Sequence, residues 1–171
     1  EVFDPNIESG IPPEKLGEFI NDQILRTLAG IAEAGRPDFL KIVYHGPRLM
    51  EEICQYDPNL IVGVLGGSAG TTYDAFRLLH DAKKHGARVA LFGRKINNAE
   101  HQLAFIEFLR LIAEDTISPE EAVHAYHGVL QGKRITPKLS LEQDLELTEQ
   151  PMRYSDTGGS PSVAICNNPL A

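Results

Sequence analysis

Two stretches decide the fold: Asp38-Phe39-Leu40-Lys41-Ile42-Val43-Tyr44-His45-Gly46-Pro47, and Leu60-Ile61-Val62-Gly63-Val64-Leu65-Gly66-Gly67-Ser68-Ala69-Gly70. Each opens with a short, apolar, β-branched run that lacks polar alternation and ends in glycine, the pattern of a strand buried on both faces. A third run, Arg88-Val89-Ala90-Leu91-Phe92, passes into Gly93-Arg94. Between these strands the chain has helical character over Arg48 to Tyr56 and over Thr72 to His85. Thr71 with Asp74 forms a capping box at the start of the second helix, and Gly86 stops it. A strand followed by a helix, repeated, predicts a parallel sheet covered by helices.

Outward from this unit, Leu16, Phe19, Ile20, Ile24, Leu25, Leu28 and Ile31 recur every three or four residues between Glu14 and Ala34, an amphipathic helix entered through prolines. Ala99 to Ala113 repeats that spacing, and Ser118 with Glu121 caps a last helix running to about Leu130. Residues 1–131 therefore form the folded unit. From 132 to 171 prolines and glycines are scattered among polar residues with no sustained period, which predicts an extended or disordered tail.

The 171 residues carry 16 Lys and Arg against 24 Asp and Glu, a formal charge of −8, which argues against a nucleic-acid partner. No apolar run approaches the ~18 residues of a membrane span. Two distant cysteines, Cys54 and Cys166, offer no disulfide framework, so a reducing, cytoplasmic compartment is expected. The chain starts at Glu1-Val2-Phe3, as if a strand had been cut in its middle, which suggests an N-terminally incomplete protein.

Two architectures satisfy the strand and helix order. An open doubly wound sheet would carry Gly-x-Gly-x-x-Gly after its first strand, a spacing absent here, as is the Gly-Lys-Ser/Thr of a P-loop. A (β/α)8 barrel carries phosphate-binding glycines after its last two strands, where this chain has them.

Lys41 stands inside a strand pattern, where desolvation favours the neutral amine, a nucleophile toward carbonyl carbon. The competing reading is a lysine whose stem runs along apolar surface to water. Gly66-Gly67-Ser68 and Gly93-Arg94, each following a strand, let backbone amides approach an anion, and Arg94 adds a fixed cation. As isolated features they are tight turns. Glu1 at its strand end is a proton carrier if it reaches the pocket. Tyr44 reads as a packed strand-end aromatic, and His45 as a turn residue. His124 and His127 read as solvated surface histidines without a third metal ligand, and Cys54 as a small buried hydrophobe.

Taken together, Glu1-Val2-Phe3-Asp4, Asp38-Phe39-Leu40-Lys41-Ile42, Gly66-Gly67-Ser68 and Leu91-Phe92-Gly93-Arg94-Lys95-Ile96 give a chain that resembles the second half of class I, Schiff-base aldolases. These are of the type that includes tagatose-bisphosphate and archaeal-type fructose-bisphosphate aldolases. The resemblance implies strands five to eight of a TIM barrel with an extra C-terminal helix and tail. It implies Lys41 as the Schiff-base lysine, Glu1 as the proton-transferring carboxylate, and Gly66, Gly67, Ser68, Gly93 and Arg94 as the grip on a substrate phosphate. The family's mechanism needs neither metal nor cofactor. The implied substrate is a phosphorylated sugar, and the implied association is a homo-oligomer or pairing with the missing N-terminal half. Lys95 departs from the family, which usually has asparagine there. The contrasting reading is a non-catalytic barrel that binds a phosphorylated metabolite or serves in assembly, with Lys41 structural.

Overall fold

The computed structural model describes residues 1–67 and 70–148. Helix α1 (Pro13–Ala29) is followed by a 3-10 turn at Glu33–Gly35, β1 (Phe39–Ile42), α2 (Pro47–Tyr56), β2 (Ile61–Leu65), α3 (Thr72–Lys84) and β3 (Val89–Leu91). The chain continues through α4 (Arg94–Asn97), α5 (Gln102–Ala113), α6 (Pro119–Gly132) and α7 (Leu141–Asp144). The protein is thus mixed α/β, with a small parallel sheet in the order β1-β2-β3. Its register sets Lys41 beside Gly63, and Gly63 beside Val89.

The helix starts follow local chemistry. In α1 and α6, Pro13 and Pro119 occupy the first turn, where a missing N–H costs nothing. Both expected capping boxes form, Thr71 with Asp74 and Ser118 with Glu121. The expected Ala99–Ala113 helix starts later, at Gln102, and a short helix that was not expected precedes it. Arg94–Asn97 makes the short α4, and α5 starts behind His101, whose ring accepts the Ala104 N–H.

Alternation along the strands separates two faces. Leu40, Ile42, Val62 and Val64 point into a core shared with Ile24, Leu28, Met50 and Ile53 from α1 and α2. A second core joins α3, α5 and α6 through Phe76, Phe105, Ile112, Val123, Tyr126 and Leu130. Tyr126 meets Phe105 and Phe108 edge-on, with ring centroids 5.7 and 6.3 Å apart, a favoured aromatic geometry. Among the described residues no helix packs on the opposite sheet face. There Phe39 is 40% exposed, Val89 38% and Leu91 37%. The strands were read as buried on both faces, but the described residues cover only one.

The tail also differs from expectation in its first part. Ser140 and Gln143 form a third capping box that starts α7, while Ile135, Leu141, Leu145 and Leu147 pack on the second core. Apolar residues hidden in a polar, proline-bearing stretch find burial against elements distant in sequence, Leu147 reaching the first core as well, and local periodicity does not report such contacts. Residues 149–171, including Cys166, lie outside the described residues.

Candidate functional site

Lys41 occupies the third position of β1, on the face that no helix covers, because its neighbours Leu40 and Ile42 turn into the helical core. Phe39 and Leu91 close over Gly63 on that face. A Cβ at Gly63 would stand 2.8 Å from the Phe39 ring and 3.3 Å from Leu91. The absent side chain at Gly63 therefore lets the strand beside Lys41 lie close beneath these two residues.

Glu1 reaches the same place. Residues 1–3 run beside β1, where the Val2 N–H donates to the Lys41 carbonyl at 2.9 Å. Val2 turns toward the helical core, so Glu1 and Phe3 turn the other way. The Glu1 carboxylate is ion-paired with the Lys41 ammonium, their side chains 39% and 26% exposed. A contact this wet contributes little stability, so its interest lies in placing a proton acceptor on an amine. The two residues read from the sequence as nucleophile and proton carrier are in contact. The desolvation expected at Lys41 is incomplete, because a face without helices leaves the side chain access to water.

Both glycine loops emerge at the C-terminal end of the sheet, the end where parallel sheets collect ligand-binding loops. The Gly66 N–H donates to the Leu91 carbonyl at 2.9 Å, joining the two strand ends. A Cβ on Gly66 would fall 2.2 Å from Cδ1 of Phe92, so only glycine fits against that ring. Gly67, at φ +61°, and Gly93 both have open space where a side chain would stand. Ser68 lies outside the described residues. Arg94 is exposed on α4. With Lys41 level with Gly63, the start of the first loop is three residues further along the sheet, about 10 Å. A lysine side chain and a small phosphorylated molecule together span that distance.

Lys95, noted only as a departure from the family, has a structural task. Its Nζ donates to the Gly70 carbonyl at 2.6 Å and ties the loop after β3 to the loop after β2. Behind Gly70, Asp74 anchors the start of α3. Its carboxylate accepts from the Thr71 and Thr148 N–H groups and from the Thr148 hydroxyl. Asp144 caps the same helix from α7, accepting the Thr72 N–H at 2.6 Å, and its other oxygen lies 2.9 Å from Nε2 of His127. The segment expected to be a loose tail therefore holds the base of a glycine loop. Only the Ser140 and Gln143 spacing could have signalled it.

Other residues take quieter places. Tyr44 is 2% exposed in the first core, as its strand-end reading expected. His45 lies in the connection between β1 and α2, as read, and there its Nε2 meets Asp4 Oδ1 at 2.9 Å. His124 is exposed, but His127 is not a solvated surface residue, its side chain being 12% exposed against Asp144. Burial pushes the Cys54 thiol up, with Arg88 pulling against it, which suits a packing role better than nucleophilic chemistry. Among the described residues no cluster of three or more His, Cys, Asp or Glu side chains is arranged to hold a metal ion, and no helix is long and apolar enough to cross a membrane. A cleft of about 610 Å³ lies among Leu79, Phe92, Ile106 and Leu109, and one of about 400 Å³ beside Cys54, His85 and Arg88. Neither includes Lys41.

No family model, curated protein or solved structure matches the chain.

Proposed function

We propose that this chain is the lysine-bearing part of a Schiff-base aldolase acting on a phosphorylated ketose or a related sugar phosphate. One observation carries the reading: Lys41 and Glu1 are paired on the sheet face that no helix covers, below the ends of β2 and β3 where the glycine loops emerge. The contrasting structural role would turn Lys41 outward, to helices or solvent, away from the ends of β2 and β3.

In this reading Glu1 takes a proton from the Lys41 ammonium, and the free amine attacks the substrate carbonyl carbon. Loss of water forms an iminium. Glu1 gives its proton to the departing water and then takes the hydroxyl proton from the neighbouring carbon as the carbon–carbon bond breaks, whose electron pair moves into the iminium to give an enamine while an aldehyde leaves. Glu1 then serves as the acid that protonates the enamine carbon, and water hydrolyses the resulting imine to return Lys41. Backbone amides at Gly66, Gly67 and Gly93, together with Arg94, hold the phosphate, and the resemblance adds Ser68 to that group. In this reading residues 1–3 and the three strands take the places of strands five to eight of a barrel wall, with the exposed face of Phe39, Val89 and Leu91 turned toward the interior. Complementary strands from a longer chain or a second molecule would then complete the wall.

The test is reduction with borohydride in the presence of dihydroxyacetone phosphate. Wild-type protein gains the mass of the reduced adduct, Lys41→Met does not, and Glu1→Gln gains it more slowly. Equal labelling of wild type and Lys41→Met would move the reading to a non-catalytic phosphometabolite binder.

A further inference from the structure

Residues 1–4 and 41–45 run side by side in one direction. Glu1 pairs with Lys41 at one end, Asp4 pairs with His45 at the other, and the Val2 N–H bond to the Lys41 carbonyl lies between them. A segment that adds so little ladder to a sheet frays unless its ends are held. The two ends are held differently. The Glu1 and Lys41 side chains are both substantially in water, whereas His45 is 14% exposed and wedged beneath α1. A Cβ at Gly17 of α1 would stand 2.7 Å from Cβ and Cγ of the His45 side chain and 2.9 Å from its Nδ1. Helix α1 is in turn tied to α2, with Asn21 donating to Glu52 at 2.6 Å and Arg48 donating to Glu18 at 3.1 Å. His45 is therefore a fixed post, and Asp4, 36% exposed, is the hook that closes on it.

We infer that Asp4 and His45 form a latch that positions the Glu1 carboxylate on the Lys41 amine, with Gly17 supplying the space that keeps the histidine ring in place. The functional role of the latch rests on the Schiff-base reading of Lys41, but its mechanical role does not. Without the latch, residues 1–4 keep the Val2 backbone bond, the packing of Val2 on the first core and one exposed ion pair, and the carboxylate spends less time on the amine. Asp4 and His45 are positioning residues, acting on the site through Glu1.

The experiment uses the full chain in four forms besides wild type. Asp4→Ala cuts the latch from its exposed side, where the core is not disturbed. His45→Phe removes the polar contact while filling space. Gly17→Ala displaces the ring from behind without touching residues 1–4. His45→Gln keeps an amide near the position of Nε2 and is the conservative rescue. Two readouts are taken: the acylation rate of Lys41 relative to surface Lys15, by peptide mass spectrometry, and the rate of borohydride trapping with dihydroxyacetone phosphate. Melting followed by circular dichroism selects the variants that fold.

Asp4→Ala and Gly17→Ala are expected to raise relative acylation of Lys41 about threefold, the fold-change matching the strength of an exposed ion pair. They are expected to slow trapping by about tenfold, somewhat below what a full acid–base group contributes. His45→Gln is expected to return both values most of the way to wild type. Folded Asp4→Ala and Gly17→Ala proteins with wild-type acylation overturn the latch, whether or not Lys41 is trapped. Faster acylation together with a wild-type protein that never traps the ketose upholds the latch and removes the Schiff-base reading.

Discussion

Gly66→Ala is the sharpest single perturbation that the geometry offers. The added methyl group would lie 2.2, 2.6 and 2.7 Å from Cδ1, Cγ and Cε1 of the Phe92 ring, so the ring must move by about an ångström or more. Phe92 packs on the second core, and Gly93-Arg94 follows it directly, which leaves the ring little freedom and couples its movement to the next loop. Overpacking of this kind costs about 1–3 kcal/mol. For a chain of 171 residues that corresponds to a fall in Tm of about 3–10 °C. Two neighbouring glycines supply the controls. Gly93→Ala meets nothing within 4 Å and is expected to leave the melting temperature within about 1–2 °C of wild type. Gly67→Ala also meets nothing, but its φ of +61° imposes about 1–2 kcal/mol of backbone strain on an alanine. The assay is thermal melting by circular dichroism on all three variants, with inorganic phosphate binding measured by calorimetry on those that fold. Gly66→Ala should be the least stable and should bind phosphate most weakly. A Gly66→Ala protein as stable as Gly93→Ala would refute the close packing of the two loops.

Three further outcomes follow from other parts of the molecule. Asp74→Ala removes the capping box of α3 and leaves the Thr71 and Thr148 N–H groups without their carboxylate, which should destabilise by about 3 kcal/mol in urea unfolding and loosen residues 140–148 in hydrogen exchange. Lys95→Met breaks the bond to the Gly70 carbonyl, and is expected to weaken phosphate binding about tenfold while leaving unphosphorylated dihydroxyacetone trapping at Lys41 unchanged. The Tyr126 hydroxyl is pushed up to about 12, foremost by burial, against about 10 in an unfolded chain. Because the folded state holds this proton more tightly, its stabilisation is complete below about pH 10 and is lost as pH rises toward 12. Tyr126→Phe should flatten the alkaline limb of a stability profile, which urea titration at pH 9 to 12 measures.

Much of the frame was legible because it is written locally. Thr71 with Asp74 and Ser118 with Glu121 announce helix starts by spacing alone, and both boxes form. The β-branched runs at Leu40 to Val43 and Ile61 to Leu65 mark strands, and the order of elements makes them parallel. What escaped was long-range or compressed. α4 lasts four residues, too few for a period to show. α7 carries a readable cap, but its docking depends on Asp144 meeting Thr72, partners 72 residues apart. At the site, the sequence named Lys41 and Glu1 separately, and the resemblance placed them on neighbouring strands. Their contact, and the Asp4 and His45 contact beside it, join positions about forty residues apart that no local pattern links. The strand runs call for burial on both faces without saying what supplies it, because apolar residues in a strand do not name the surface that covers them.

The central claim is that Lys41 forms the covalent bond with substrate. It is tested most directly by digesting the borohydride-reduced protein after incubation with dihydroxyacetone phosphate, and sequencing every lysine-bearing peptide by mass spectrometry. The account predicts that the adduct lies on Lys41, with Lys95 and the surface lysines unmodified at the same exposure. An adduct spread over surface lysines, or one on Lys95 with Lys41 untouched, would contradict it.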